Sequence, residues 1–348
     1  MKKILFLASL AAVAMTSCTS ESNEYVGDNS PKEIAFKAIA TPTTRAAWDG
    51  SYFPGSGEGY GFKLAAYDAT LHKVRFNDGD YTYLEGSEGN IIYKDQTTPR
   101  YWPLADTWLH FLGVSYMTTP ANNAISTSFS SYGTNGTATV TLSDNSSKQN
   151  DLMYAIGNGH VQKSGNALTV PANVPMQFKH ALASLRFTVQ SNVASKITLN
   201  SITVNNAFEK GTFTITHTGY DNENATESVG GVWTVNDALT TAAEPGDKSA
   251  TVLVPGISSV AVGTSVSSEY GLLVIPKASG DSFTSFTLNY TMDGETYNFE
   301  YTPATLTLSQ GYKYIYTISF TLNEILVKTT VLDWTNGTGG NVQIPPTA

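Results

Sequence analysis

Phe286-Thr287-Leu288-Asn289-Tyr290-Thr291-Met292-Asp293-Gly294-Glu295-Thr296-Tyr297-Asn298-Phe299-Glu300-Tyr301 is the stretch that decides the fold. An Asp-Gly pair between two alternating runs favours a two-residue type I′ turn, because both central positions need positive φ and these residue types tolerate it. That turn sets a register in which Met292 faces Glu295, Tyr290 faces Tyr297, Leu288 faces Phe299 and Phe286 faces Tyr301. Away from the turn, every apolar residue on one arm meets an apolar or aromatic one on the other. Asn289 with Asn298 and Thr287 with Glu300 fall on the opposite, polar face. A slip of one residue would turn the whole apolar row to solvent, so turn chemistry and pattern agree on one antiparallel hairpin.

The same period of two recurs along the chain, bounded by Gly, Asn, Asp and Pro, and no segment of ten or more residues shows a convincing 3.6-residue period. Strands are predicted at Tyr60 to Tyr67, Val74 to Phe76, Trp108 to Val114 and Ala138 to Leu142. Asp151 to Ala155 precedes an expected break at Gly157-Asn158-Gly159, and Asn77-Asp78-Gly79-Asp80 reads as a turn. From Val174 to Val189, Phe178, His180 and Leu182 share one phase, whereas Leu185, Phe187 and Val189 share the other. One extra residue reconciles them, so a bulge or bend is predicted near Ala183-Ser184, leading into a second half of the chain. That half offers Ile197 to Leu199, Ile202 to Val204, Thr212 to Ile215, Thr251 to Val254 and Leu272 to Ile275. After the hairpin come Tyr314 to Leu322, Ile325 to Val331 and a short Val342-Gln343-Ile344.

Composition agrees with an extracellular β protein. The 348 residues include 29 glycines and 19 tyrosines, and only 14% are charged. The formal charge of -9 comes without a basic stripe, which argues against nucleic acid as a partner. About 300 residues remain beyond the leader and tether described next, more than one β-sandwich needs and enough for two.

The N-terminus reads as an export signal. Lys2 and Lys3 precede the apolar run Ile4 to Met15 and the small residues Thr16-Ser17. Such a run is too short to cross a hydrocarbon core of about 30 Å as a mature helix. The only cysteine, Cys18, follows at the position where bacterial lipoprotein leaders carry their acylated residue, so it is expected to be lipidated. Residues 19–31 are polar and read as a tether. Ile34, Phe36 and Ala38 then alternate with Ala35, Lys37 and Ile39 as a short strand. Thr41-Pro42-Thr43-Thr44-Arg45-Ala46 follows, with the composition of an extended, protease-accessible loop.

These features together resemble the fimbrillin-like lipoproteins of Bacteroidetes, subunits of type V pili. The resemblance rests on the leader ending at Cys18, Ile34-Ala35-Phe36 ahead of Thr43-Thr44-Arg45-Ala46, and Tyr101-Trp102-Pro103. Asp151-Leu152-Met153-Tyr154-Ala155, the run Phe178 to Phe187, and Asp333-Trp334 extend it over nearly the whole chain. It implies two transthyretin-like Greek-key β-sandwich domains in tandem after a lipoprotein leader and propeptide. The corresponding division is 1–17 signal peptide, 18–45 tether and propeptide strand, 46–190 first domain and 191–348 second domain.

It also implies a maturation route. The precursor, held at the outer membrane by lipid on Cys18, is cut after Arg45 by an arginine-specific protease, so that the mature chain starts at Ala46. Ile34, Phe36 and Ala38 leave with the propeptide, and a strand from another fimbrial subunit fills the groove. The donor is expected within Ile325 to Ile344, with Ile325, Val327, Val331, Trp334, Val342 and Ile344 as its apolar positions. The partners are then other fimbrial subunits, by self-polymerisation or in a heteropolymer, and host or bacterial surface ligands, with the protein ending in a cell-surface fimbrium. A tip or anchor subunit that escapes cleavage is a variant of this reading.

A surface glycan-binding lipoprotein is the rival, with Trp48, Trp102, Trp108, Trp233 or Trp334 stacking on sugars. Trp102 and Trp108 sit in strand contexts where core packing is the expected role. Enzymatic activity is not expected. His72, His110, His160, His180 and His217 are scattered without a zinc spacing, and no Gly-x-Ser-x-Gly elbow occurs. His180 is expected to be a buried, hydrogen-bonded structural histidine. No cofactor, metal or calcium loop is implied.

Overall fold

In the computed structural model, Ser285–Met292 and Glu295–Tyr301 pair in the predicted register, from Met292 opposite Glu295 to Phe286 opposite Tyr301. Asp293 and Gly294 take φ of 51° and 86°, the left-handed pair that a type I′ turn requires. Gly294→Ala should therefore lower stability by about 1 kcal/mol, measurable as a shift in urea midpoint. An unchanged midpoint would show that the turn does not hold this geometry.

The structure describes residues 30–40, 61–85, 92–94, 99–115, 124–128, 136–142, 149, 151–208, 210–216, 230–235, 248–249, 260–263, 265–267, 271–277, 280–304, 306–333 and 341–342. Among them there are strands and no helix. The first are β1 (Phe36–Ala40), β2 (Gly61–Asp68), β3 (Lys73–Glu85), β4 (Ile92–Lys94), β5 (Thr107–Ser115), β6 (Ala124–Ser128) and β7 (Gly136–Thr141). β8 (Met153–Ser164), β9 (Ala167–Thr169), β10 (Val174–His180), β11 (Ala183–Ser191), β12 (Ile197–Asn205) and β13 (Ala207–Phe208) follow. Then come β14 (Lys210–Thr216), β15 (Gly230–Thr234), β16 (Lys248–Ser249), β17 (Ser265–Ser267) and β18 (Leu272–Val274). The hairpin arms are β19 (Ser285–Met292) and β20 (Glu295–Tyr301), before β21 (Tyr312–Phe320), β22 (Ile325–Asp333) and β23 (Asn341–Val342).

The first sheet runs β10-β1-β4-β3-β2-β5-β8-β9, and β10 also pairs with β8 through Lys179 opposite Tyr154 and His180 opposite Met153. Seven strands thus close on themselves, from β10 through β1, β4, β3, β2 and β5 to β8 and back. Phe36, Phe62, Phe111, Trp102, Val174, Met176 and Phe178 form the core that this closed sheet carries. The alternate face, with Ala65, Tyr67, Leu112, Val114, Tyr154 and Ile156, packs on the sheet β15-β14-β7-β6 through Val140, Phe213, Ile215 and Trp233. A third core joins the sheet containing β11, β21 and β22 to the sheet β12-β19-β20. The arrangement is sandwich-like, with two layers in each of these packings.

Two local expectations are corrected, and the bend expected near Ala183-Ser184 is present at Ala181-Leu182. Gly157-Asn158-Gly159 does not break the chain, because β8 runs straight through it. The glycines are there for room: a Cβ on Gly157 would stand 2.4 Å from Met176 Sδ, and one on Gly159 would stand 2.3 Å from Trp102 Cη2. Asn77 to Asp80 lie inside β3, where a register irregularity opposite Leu64 and Ala66 absorbs the turn-forming residues. The phase change after His180 is a bend between two strands in different sheets, β10 and β11, with Ala181 and Leu182 buried at the crossing. Both phases look apolar because each sheet buries its own row. Ile197 to Val204 is one strand with a register shift between Leu199 and Ser201, and the expected strand at 251–254 lies outside the described residues.

The crossing also gathers charge. Asp151 and His180 are buried and bonded to one another, Oδ2 to Nδ1, and His180 is the structural histidine expected from its strand phase. Lys313, opposite Ser184 in the register of β21 with β11, is buried nearby. Burial, and then the neighbouring Arg186 charge, push the Lys313 amine down to about 8 against the pull of Asp151. The unfolded amine, with its ordinary value of 10.5, binds more protons between those two pH values, so stability should rise through that window. Below it, the burial penalty on the charged amine is felt in full. Urea midpoints across pH 8 to 10.5 should show wild type gaining on Lys313→Met by on the order of 2 kcal/mol. Parallel curves would show that the folded amine titrates normally.

Candidate functional site

β1 is short, yet it closes the first sheet. It runs parallel to β10, with Phe36 opposite Val174 through to Ala40 opposite Phe178, and antiparallel to β4 through Phe36-Tyr93 and Lys37-Ile92. Its approach is also held. Ile34 N–H donates to Arg100 O at 2.7 Å, and Trp102 N–H donates to Lys32 O at 3.0 Å, flanking a bridge of Glu33 with Tyr101. Val174 N–H donates to Ala35 O at 2.8 Å. Residues 32–34 thus pair with residues 100–102, Phe36 to Ala40 pair with β10, and Phe36 and Lys37 are held on both sides, by β10 and by β4.

The side chains follow the same logic. Ile34 and Phe36 face the ring's core, while Ala35 points to the other face and is buried as well. Phe36 has no exposed surface and meets Phe62 edge-on at 6.0 Å and Phe111 edge-on at 5.0 Å between centroids. Trp102 meets Phe111 edge-on at 6.0 Å from the far side. Gly113 and Gly157 leave the space into which Met176 fits beside this aromatic group. At the mouth, Pro31, Tyr101, Trp102 and Leu104 line an open cleft of about 560 Å³. The Arg100 guanidinium lies over the Phe76 ring at 5.2 Å on the rim of this otherwise apolar core, so without β1 the site is a strand-shaped apolar slot with unpaired backbone along its walls.

The sequence-predicted residues divide as follows. Ile34, Phe36 and Ala38 lie on one extended segment in the slot, the backbone of Ala38 pairing opposite Met176. Ile325, Val327 and Val331 lie on β22, whose partner β21 matches it along its whole length, and they pack on the third core. Val342 is in β23, opposite Val331. β1 and β22 belong to different sheets, so the chain does not bring the plug and the donor candidate together. Cys18, Arg45, Ala46, Trp334 and Ile344 lie outside the described residues, as does Trp48.

The slot's second wall, β4 with residues 100–102, was not singled out from the sequence. Its only sequence signal was Tyr101-Trp102-Pro103, read as a turn into a strand. Trp102 and Trp233 are buried, and the Trp233 indole N–H donates to Ala181 O at 2.6 Å, so neither ring face is offered to a sugar. Trp108 lies flat on His160 at 4.5 Å. Among the described residues no group of three or more His, Cys, Asp or Glu is placed to hold a metal ion, and no helix is long and apolar enough to cross a membrane.

Similar folds are known. A chain from Bacteroides ovatus described as a cell adhesion protein superposes with a TM-score of 0.50 at 13% identity, covering 87% of this chain and 98% of that one. A fimbrial protein from Bacteroides vulgatus gives 0.48 at 14%, covering 87% and 99%. The tip fimbrial protein of Porphyromonas gingivalis gives 0.39 at 11%, covering 87% and 100%. At such identities these likenesses concern the fold. No curated protein matches the chain. The fimbrillin-like family model, however, matches residues 44–334, so the chain belongs to the fimbrillin-like family of cell-surface fimbrial proteins.

Proposed function

We propose that this chain is a structural subunit of a type V fimbria that matures by exchanging β1 for a strand of another subunit. It is exported as a lipoprotein acylated on Cys18, held at the outer membrane, and cut after Arg45 by an arginine-specific protease. Ile34, Phe36 and Ala38 then leave, and the polymer supports adhesion. The donor that this chain offers to a neighbour lies within Ile325 to Ile344. The division near residue 190 belongs to the same proposal, with β14 and β15 returning to pack on strands from before it.

The observation that carries this reading is the position of β1 between β10 and β4 in the closed sheet. The segment that ends shortly before Arg45, the proposed cleavage site, is the stave that completes the ring. Its removal leaves two edges of unpaired N–H and C=O groups and an open aromatic core, a state relieved by adding a strand. Burial of apolar side chains at roughly 25 cal/mol per Å², with the new backbone bonds, drives the addition without an external energy source.

The test is the mass and N-terminal sequence of the protein recovered from its native cell surface, with and without heating in detergent. A chain that starts at Ala46 and runs as heat-labile oligomers is expected. An acylated Cys18 on a monomer would overturn the exchange mechanism and leave an anchor subunit or a glycan-binding lipoprotein.

A further inference from the structure

Ile34, Ala35 and Phe36 define what shape of strand the slot accepts. Ile34 and Phe36 need large apolar side chains on one face, and Phe36 in particular fills an aromatic seat between Phe62 and Phe111. Ala35, on the other face, is buried, and enlarging a buried side chain is destabilising, so a small residue suits that position. The slot therefore calls for large aliphatic, small, aromatic in succession, or the reverse for a strand of opposite direction.

Residues 321–348 contain no such triplet. Their small residues are Gly337, Gly339, Gly340 and Ala348, and none has an apolar neighbour on both sides. The apolar frames fail in identifiable ways. Ile325-Leu326-Val327 puts a leucine at the Ala35 position and only Val or Ile in the aromatic seat. Val342-Gln343-Ile344 puts an amide at the Ala35 position, away from water. Trp334 is the only aromatic residue after Phe320, and seating it puts Asp333 or Thr335 where Ala35 lies.

We infer that the slot selects a strand from a different subunit, carrying the aliphatic-small-aromatic triplet, and rejects the C-terminal segment of a second copy of this chain. The inference rests on the strand-exchange reading above and makes the chain a member of a heteropolymer rather than a self-polymerising stalk.

The experiment takes the full chain, cuts it after Arg45 with an arginine-specific protease, and offers labelled peptides in excess. One peptide spans residues 31–41; two others carry Phe36→Ala or Ala35→Leu; a fourth spans residues 321–344 of this chain. The native peptide should be retained through gel filtration, the other three should bind on the order of a hundredfold more weakly, and the cut chain alone should stay monomeric. Retention of the fourth peptide as tight as the first, or polymers from the cut chain alone, would overturn the inference while leaving strand exchange standing. Failure of the native peptide to displace the cut plug would sink strand exchange itself, and the inference with it.

Discussion

Phe36→Ala should lower the stability of the uncut chain by about 3–5 kcal/mol, the loss expected when a buried aromatic residue is truncated in a core that cannot collapse around the void. Phe36 is wholly buried, and its neighbours Phe62 and Phe111 are fixed on β2 and β5, which pair with one another over seven positions. They cannot move in to fill the hole without breaking that register. The consequence is local before it is global. With its anchor gone, β1 keeps backbone bonds but little apolar burial, so it should be released ahead of the rest of the ring. Urea titration measures the first effect, and protease nicking between residues 30 and 60 at low urea measures the second. A loss below about 1 kcal/mol would show that β1 contributes pairing alone, and the argument for a selective aromatic seat would fall with it.

Asp151→Ala should cost a comparable 3–5 kcal/mol for a different reason. A buried polar cluster need not stabilise a fold, but removing the carboxylate takes away both the attraction it exerts on the buried Lys313 amine and the oxygen bonded to His180. Asp151 is bonded to His180 within the ring, and its negative charge also acts on Lys313 of β21. Arg186 on β11 is buried enough that its own ionisation is pushed down. Without the carboxylate, that group of cations faces itself. Asp151→Asn keeps an acceptor for His180 and removes only the charge, so the gap between Asn and Ala variants separates the hydrogen bond from the electrostatics. Ser184 lies on the same crossing, buried at the start of β11. Since the cluster spans strands of the ring and of the β11 sheet, Asp151→Ala should also broaden the urea transition as the two parts lose cooperativity. A sharp transition at the wild-type midpoint would mean that the charges are already screened by relaxation of the chain.

Much of the fold was legible because it is local. Asp293-Gly294 dictates a turn, the turn dictates a register, and Tyr290, Leu288 and Phe286 fall on the core face in consequence. The outward row forms the polar ladder that the same pattern implies, with Asn289 Nδ2 donating to Asn298 Oδ1 at 2.7 Å. His180 could be placed in a core from its phase with Phe178 and Leu182. Where the reading failed, a residue's usual local role lost to its neighbours in space. Gly157 and Gly159 looked like a break because glycine disfavours strands, but Met176 and Trp102 need the volume that a Cβ would occupy. Asp78-Gly79 looked like a turn because these residue types favour one, but β2 holds them extended, with Gly79 opposite Leu64 beside a register irregularity that absorbs the extra residues.

The division runs along the range of the forces. Sequence alone determined the all-β class, the hairpin and the alternation of Ile34 and Phe36, since each depends on residues a few positions apart. Only the tertiary structure decided that β1 is the stave between β10 and β4, that Ala35 is buried on the opposite face, and that Ile325, Val327 and Val331 pair with β21 in a different sheet from β1. Strand order and two-sided burial arise from pairings across more than a hundred residues, Phe36 with Val174 among them. Period-two patterning is the same for every strand and carries no address for its neighbour.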